Sequence, residues 1–213
     1  NGNGNGNEVV CCFPWIWKSP SPAQAPMTTV NSTSARDKSL RSSSHKERRA
    51  RAIANKMTDA VRRRNEYDLY QFHRSEWSFD TLDDSGYGPI HVAAIQNDSQ
   101  ILNVLLNCGC STELKDKSGC TALHWTSRLG YYALCATLLS NEADVNASSL
   151  TKSTPLHMAA FWGRRDIIVL LLEHGANLHA LNEKHQDPMT AARQSPWENA
   201  KSAIPLLQKY TKQ

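Results

Sequence analysis

A short motif returns along the second half of the chain at a fixed interval. Residues 88–94 read GPIHVAA, residues 121–127 TALHWTS and residues 154–160 TPLHMAA, each set 33 residues after the one before. His91, His124 and His157 fall on that step, as do the pairs Leu105/Leu106, Leu138/Leu139 and Leu171/Leu172. Gly86 pairs with Gly119 and Gly130 with Gly163 on the same step. So many coincidences at one period mark a stacked repeat, in which each unit is one supersecondary element that cannot hide its own apolar face.

Each unit reads as a helical hairpin. Pro155 suits a first helical position, which has no hydrogen bond to lose, and Thr154 before it is a natural N-cap. Leu156, Ala159 and Ala160 recur at i, i+3 and i+4, a narrow face whose alanines let a second helix approach closely. Gly163 ends the helix in a turn. The stretch RRDIIVLLLEHG that follows carries Ile167, Ile168, Leu170, Leu171 and Leu172, too much apolar surface for one hairpin to cover. A buried aliphatic side chain is worth about 1.5–3 kcal/mol. Stability therefore lies largely between units, and an isolated unit is expected to be unfolded.

The repeated T-P-L-H-x-A-A pattern resembles the ankyrin repeat, whose unit is a turn followed by two antiparallel helices. The likeness is strong over about residues 83–190 and looser over 50–213. It implies an all-α solenoid of stacked helix-turn-helix units with short hairpin turns, and assigns the histidines to hydrogen bonds within and between turns. Composition adds a disordered tail over residues 1–45, where Asn, Gly, Ser, Thr, Pro and basic residues cannot bury enough surface to offset chain entropy. A basic capping pair is expected over 46–82, repeats over 83–115, 116–148 and 149–181, and a closing cap over 182–213. Met57, Ala60, Val61, Leu69 and Phe72 stand one period before Ile90, Ala93, Ala94, Leu102 and Leu105, which is the ground for the first cap. In the last unit Thr190 takes the histidine position and Pro196 that of the turn glycine. Pro205 stands where leucine is expected, so the final helix is predicted to split or restart near Ile204.

Several chemistries are disfavoured. Three histidines at one interval suggest a metal triad, yet equivalent positions in such a stack lie roughly 10 Å apart, too far to share a zinc ion. Cys108, Cys110, Cys120 and His124 lack the paired cysteine spacing of structural zinc sites, so no metal and no cofactor is expected. No nucleophile elbow, zinc-protease helix or phosphate-cradling glycine loop is present, so no catalytic residue and no small-molecule substrate is expected. The six cysteines form no disulfide framework and follow no leader, which points to a reducing, intracellular setting. No apolar run approaches the roughly 20 residues of a membrane-spanning helix. The first residue is Asn rather than Met, as in a piece of a longer chain.

What differs between units is more informative. The two positions after the small residues hold Ile95 and Gln96, then Arg128 and Leu129, then Phe161 and Trp162, and the resemblance implies that these and the hairpin tips line a concave binding face. Among the tip residues Tyr87 and Lys117 stand out. Aromatic residues and arginine most often carry binding energy, so Phe161, Trp162, Arg128, Arg164 and Arg165 suggest a patch with an apolar centre and a basic rim. Trp162 has two open readings, as an anchor for a partner or as packing over its neighbour's edge. Trp125 fills a framework position and reads as core.

The N-terminal third carries other candidates. Residues 36–64 hold eleven Lys/Arg against three Asp/Glu in a chain of net charge +4. That segment reads partly as the solvated face of a capping helix and partly as a polybasic arm for anionic membrane, nucleic acid or an import receptor. Ser39, Ser42, Ser43 and Ser44 among the arginines are candidate phosphorylation sites. Cys11 and Cys12, beside Trp15 and Trp17, are candidates for S-acylation, which together with the basic stretch would supply the two signals a stable membrane anchor needs. The whole reads as a non-enzymatic adaptor that binds another protein, cytoplasmic in the first instance. A nuclear regulator and a peripheral membrane scaffold are the alternatives.

Overall fold

The structure, a computed structural model, describes the backbone of residues 36–211 and side chains from residue 46 onward. Among the described residues there are ten α-helices and no strand. They are α1 Arg36–Arg62, α2 Glu66–Arg74, α3 Pro89–Ile95, α4 Ser99–Asn107, α5 Ala122–Leu129, α6 Tyr132–Ser140, α7 Pro155–Phe161, α8 Arg165–Glu173, α9 Pro188–Gln194 and α10 Glu198–Thr211. The short helices α3, α5, α7 and α9 pack in succession as an inner layer, and α2, α4, α6, α8 and α10 as an outer one. Each inner helix also packs on the outer helix that follows it. Helices α2, α4, α6 and α8 all run for 9 residues and start 33 residues apart.

Close packing of the inner layer follows from small side chains. Ala60, Ala93, Thr126, Ala159 and Ala192 occupy one position per unit, and all are buried. In the second repeat, where Thr126 and Ser127 replace two alanines, the Cys135 thiol donates to Thr126 Oγ1 at 3.1 Å and Thr126 Oγ1 donates to the Leu123 carbonyl at 3.2 Å. The hydroxyl is thus satisfied inside the stack. Met57, Ala60, Val61 and Leu69 join the same apolar cluster as Ile90, Leu102, Leu123, Leu156 and Leu171, so the first cap shares the repeats' core.

Two local expectations are corrected. Helix α1 begins at Arg36, ten residues inside the stretch expected as tail; residues 1–35 lie outside the described set. Scarcity of apolar residues argues against a core but not against a solvated helix, and no Pro or Gly interrupts residues 36–62. At the other end α10 neither splits nor restarts: it runs unbroken through Pro205. Pro205 and Lys201 are both exposed, so the carbonyl that Pro205 leaves without an N–H donor faces water, while Ala200, Ala203 and Leu207 hold the buried side.

Three turn positions per unit adopt left-handed backbone, and they too keep the period. Between inner and outer helix these are Arg64, Asn97, Gly130 and Gly163; after the outer helix Glu76, Gly109, Glu142 and Gly175; at the hairpin tip Gly86, Gly119, Lys152 and His185. Only half of the twelve are glycine, so the other six carry a conformation that L-residues adopt at a cost. The closing unit departs at Pro196, whose ring cannot take positive φ. There Ser195 is extended, as a residue before proline must be, and its hydroxyl donates to the Phe161 carbonyl at 2.7 Å.

Hydrogen bonds run from unit to unit along the hairpins. Gly86, Ser118 and Thr151 carbonyls accept from the backbone N–H of Lys117, Leu150 and Glu183 at 3.1, 3.0 and 2.9 Å. Inside each hairpin one side chain holds the turn. Asp83, Asp116 and Asn182 Oδ1 each accept two backbone N–H groups, and Ser149 Oγ accepts one.

The three histidines complete this stitching. Nε2 of His91, His124 and His157 donates to the carbonyls of Cys120, Ser153 and Gln186 at 3.0, 2.9 and 2.9 Å. A carbonyl can only accept, so the proton sits on Nε2 and Nδ1 is the acceptor. Nδ1 takes the backbone N–H of Gly88, Thr121 and Thr154. Thr121 and Thr154 hydroxyls also point at it, so Thr154 stands at the N-cap but spends its hydroxyl on the ring. Burial disfavours the imidazolium in all three, and His124 is pushed down to about 4.

Two sets of measurements follow. Gly163 has φ 66°, and a Cβ there would lie 2.3 Å from the backbone of Asn199. Gly163→Ala is expected to lower the unfolding free energy by about 2 kcal/mol or more. Glu142→Gly, at an exposed residue with φ 61°, is expected to raise it by about 0.5–1 kcal/mol. Urea unfolding followed by circular dichroism reads both signs. The histidines are neutral in the fold and charge in the unfolded chain below about 6.5, so the unfolded state binds more protons as pH falls and stability is lost from there down towards about 4. The urea midpoint is expected to drop between about pH 7 and about pH 5, and to drop less in His124→Gln. An equal drop in the variant would remove His124 as a source of the pH dependence.

Candidate partner-binding face

A row of aromatic and cationic side chains crosses four successive units on the inner-helix side. Lys117 Nζ lies 5.8 Å from the centre of the Tyr87 ring. Tyr87 meets Trp125 edge-on at 5.7 Å. The Arg128 guanidinium lies 5.2 Å from the Trp125 ring and 5.3 Å from the Trp162 ring. Trp162 stacks on Trp197 at 5.4 Å with the planes 23° apart, and Phe161 meets Trp162 edge-on at 5.9 Å.

Local structure explains the alignment. Trp125 and Arg128 are three residues apart on α5, so they share one side of that helix. Tyr87 and Lys117 lie in the hairpins before α3 and α5, Trp162 is the C-cap of α7, and Trp197 immediately precedes α10. Trp125 is pinned further, since its indole N–H donates to Asp116 Oδ2 at 2.9 Å. Aromatic and cation–π contacts are each worth about 0.5–1.5 kcal/mol, so the row holds its rings in place before any partner arrives.

Of the residues the sequence singled out, Tyr87, Lys117, Arg128, Phe161 and Trp162 come together here. Two members were not foreseen. Trp125, read as core, is half-buried in the middle of the row. Trp197 is 46% exposed at its end. It stands 35 residues after Trp162 and so escapes a search at 33, because Pro196 changes the turn before it. The available signal was the return of tryptophan in three successive units, at Trp125, Trp162 and Trp197.

Other candidates serve elsewhere. Ile95 and Leu129 are half-buried last residues of α3 and α5. Gln96 Nε2 donates to the Arg62 carbonyl at 3.4 Å, and Arg164 Nε to the Arg128 carbonyl at 3.1 Å, so both tie one unit to the helix end of the unit before. Arg165 is exposed at the start of α8, in a cleft with Gly130, Tyr132, Asp166 and Asn199.

The basic segment is partly bound into the fold. Arg62 donates to Asp83 Oδ2 at 2.9 Å, Arg64 lies 2.9 Å from Asp98 Oδ2, and Asn55 donates to Asp84 at 2.7 Å. Arg49 lies over the Trp77 ring at 5.4 Å. Burial alone would raise the Asp83 carboxyl; the Tyr87 backbone N–H and the Arg62 guanidinium outweigh it and hold that group below the usual carboxylate range. Lys46, Arg48, Lys56 and Arg63 are exposed. Ser39, Ser42, Ser43 and Ser44 fall in the helical span of α1, but their side chains, like Cys11 and Cys12, lie outside the described residues.

Thiol and metal chemistry find little support. Cys108, Cys110, Cys120 and Cys135 are buried and unpaired, and burial pushes every one of these thiols up, Cys120 to about 12. Such thiols are poor nucleophiles and ligands. Among the described residues no three His, Cys, Asp or Glu side chains gather as a metal site.

Comparison with known proteins agrees with this architecture. The family model described as Ankyrin repeats (3 copies) matches residues 57–149 and 90–182. Ankyrin repeat and SOCS box protein 3 of Homo sapiens is 36% identical over 172 residues, which cover 63% of this chain and 33% of that protein. NF-kappa-B inhibitor alpha of Homo sapiens is 34% identical over 98 residues, 43% of this chain and 31% of that protein. Tyrosine-protein kinase Shark of Drosophila melanogaster is 31% identical over 127 residues, 59% of this chain and 13% of that protein. The chain thus spans a third or less of the length of these relatives. The family match covers more than half of the chain, on the units in which the helix pairs, hairpins and histidine bonds recur, and the chain belongs to the ankyrin-repeat family.

Proposed function

We propose that this chain is a non-enzymatic adaptor that docks another protein on its inner-helix face. Ankyrin repeats generally mediate protein–protein interaction and are generally non-enzymatic. The observation that carries the reading is the row from Lys117 to Trp197. It gathers the residue types that most often dominate binding energy, on the face that the family uses for binding. Its members belong to separate units, so stacking has already met the cost of ordering them.

The row also redistributes the expected roles. Trp162 is engaged by Arg128 from the unit before and by Trp197 from the unit after. Its part is to hold the row together, with Trp197 as the more exposed ring at its end. A polybasic arm draws less support, since Arg49, Arg62 and Arg64 act within the fold.

Affinity capture with the wild-type chain, Arg128→Gln and Trp197→Ala, each checked for an unchanged melting temperature, tests the proposal. Specific partners are expected to be retained by the wild type and lost from both variants. Full retention by both would place binding on another face.

A further inference from the structure

We propose that two copies of this chain pair through their outer helices, about a two-fold axis that runs parallel to those helices between α4 and α6. The proposal uses no residue of the inner-helix face and goes beyond its docking role.

Lack of charge is the first support. Helix α4 reads SQILNVLLN and α6 reads YALCATLLS, so neither carries an ionised side chain, in a chain of which 21% of residues are charged. Their outer side is nonetheless open to solvent: Gln100, Asn103, Asn107 and Ala133 are exposed, and Tyr132 is 51% exposed. Loss of charge with tyrosine kept is what sets the core of an interface apart from ordinary surface. The helices on either side, α2 and α8, are charged at both ends and supply a polar rim.

Symmetry is the second support, and it names the occupant. The four outer helices pack in order, have equal length and start at residues 66, 99, 132 and 165, so related residues hold the same helical position. An axis parallel to the helices and between α4 and α6 sets α4 against α6 of the second copy, and α2 against its α8, position for position. In the centre, Gln100 then faces Ala133, Asn103 faces Ala136 and Asn107 faces Ser140, a longer side chain against a shorter one each time. At the rim, Glu66 faces Arg165 and Arg74 faces Glu173. Both rim pairs are of opposite charge. Arg74, Arg165 and Glu173 are exposed, Glu66 is half-buried, and none of the four takes part in an ion pair among the described residues. Such a face is complementary to itself, and the two-fold makes every contact twice.

Size decides between this axis and one perpendicular to the helices. The perpendicular axis would set each outer helix on its own copy, with Ala136 against Ala136 and Asn103 against Asn103. That leaves a gap over α6 and crowding over α4. Four helices about 14 Å long at roughly 10 Å spacing give roughly 500 Å² per copy, near the lower limit for a specific complex, so the pair is weak and reversible.

Sedimentation velocity on the full chain, over a concentration series through the micromolar range, tests this. The wild type is expected to pass from monomer to dimer. Ala133→Arg, at an exposed position of α6, is expected to weaken the dimer about tenfold, because the axis brings in two charges that lack counterparts. Arg74→Glu and Glu173→Arg are each expected to weaken it about tenfold, because each sets like charges together twice. An equimolar mixture of those two variants is expected to dimerise as the wild type does, since both contacts between Arg74 and Glu173 positions are again of opposite charge. Trp197→Ala is expected to leave the dimer unchanged. Circular dichroism melts separate lost pairing from lost fold, and Ala133→Arg serves where a rim variant does not fold. A chain that stays monomeric throughout overturns the proposal and leaves the uncharged face to another protein. A dimer that survives Ala133→Arg, or that is lost in the rim variants and does not return on mixing them, overturns it too. Loss of the dimer in Trp197→Ala alone would place the contact on the inner face and reject the outer one.

Discussion

Burial of aliphatic side chains between successive helix pairs is the condition on which the rest of the structure depends. Leu102, Leu138 and Leu171 on the outer helices, with Ile90, Leu123 and Leu156 on the inner ones, are covered largely by neighbouring units. The small residues from Ala60 to Ala192 let the inner layer approach closely enough to complete that cover. A stack built in this way repeats at one step, and side chains at related positions form straight lines. The histidine ladder is one such line, whereas the aromatic row joins unlike positions of successive units. One is turned into the hairpins and sews them together, and the other is turned outward.

The same geometry explains why the fold tolerates unfavourable residues. Six of the twelve left-handed positions are not glycine. At Arg64 the conformation coexists with an ion pair to Asp98, a buried carboxylate that also caps α4. At Gly163 the neighbouring backbone of Asn199 leaves no room for a Cβ.

The N-terminal cap shows how charge can look functional in sequence and act structurally. Arg62 reaches a buried carboxylate of the first hairpin, and the Gln96 amide returns a bond to the Arg62 carbonyl. These bonds fasten a helix with a degenerate repeat signature onto the array. A row of rings and cations then becomes an oriented surface, because each member is held by its own unit and by the next.

Periodicity made most of the architecture legible. The histidines, the leucine pairs and the turn glycines marked the helix hairpins because each position meets the same surroundings in every unit, so the same physical demand selects the same residue type. Even the cap was readable, since Met57, Val61 and Leu69 keep the spacing and are buried. Departures from the period were harder to read. Pro205 looked like a break, but whether proline disrupts a helix depends on whether its orphaned carbonyl faces water, which only packing decides. Trp125 looked like core and Trp197 carried no periodic signal, because a position on one helix does not reveal which ring from the next unit will lie against it. The amino-acid order determined the repeating unit and its step. The contacts between successive repeats, which join residues 29 to 38 apart and have no counterpart within a single hairpin, decided which side chains build the aromatic row.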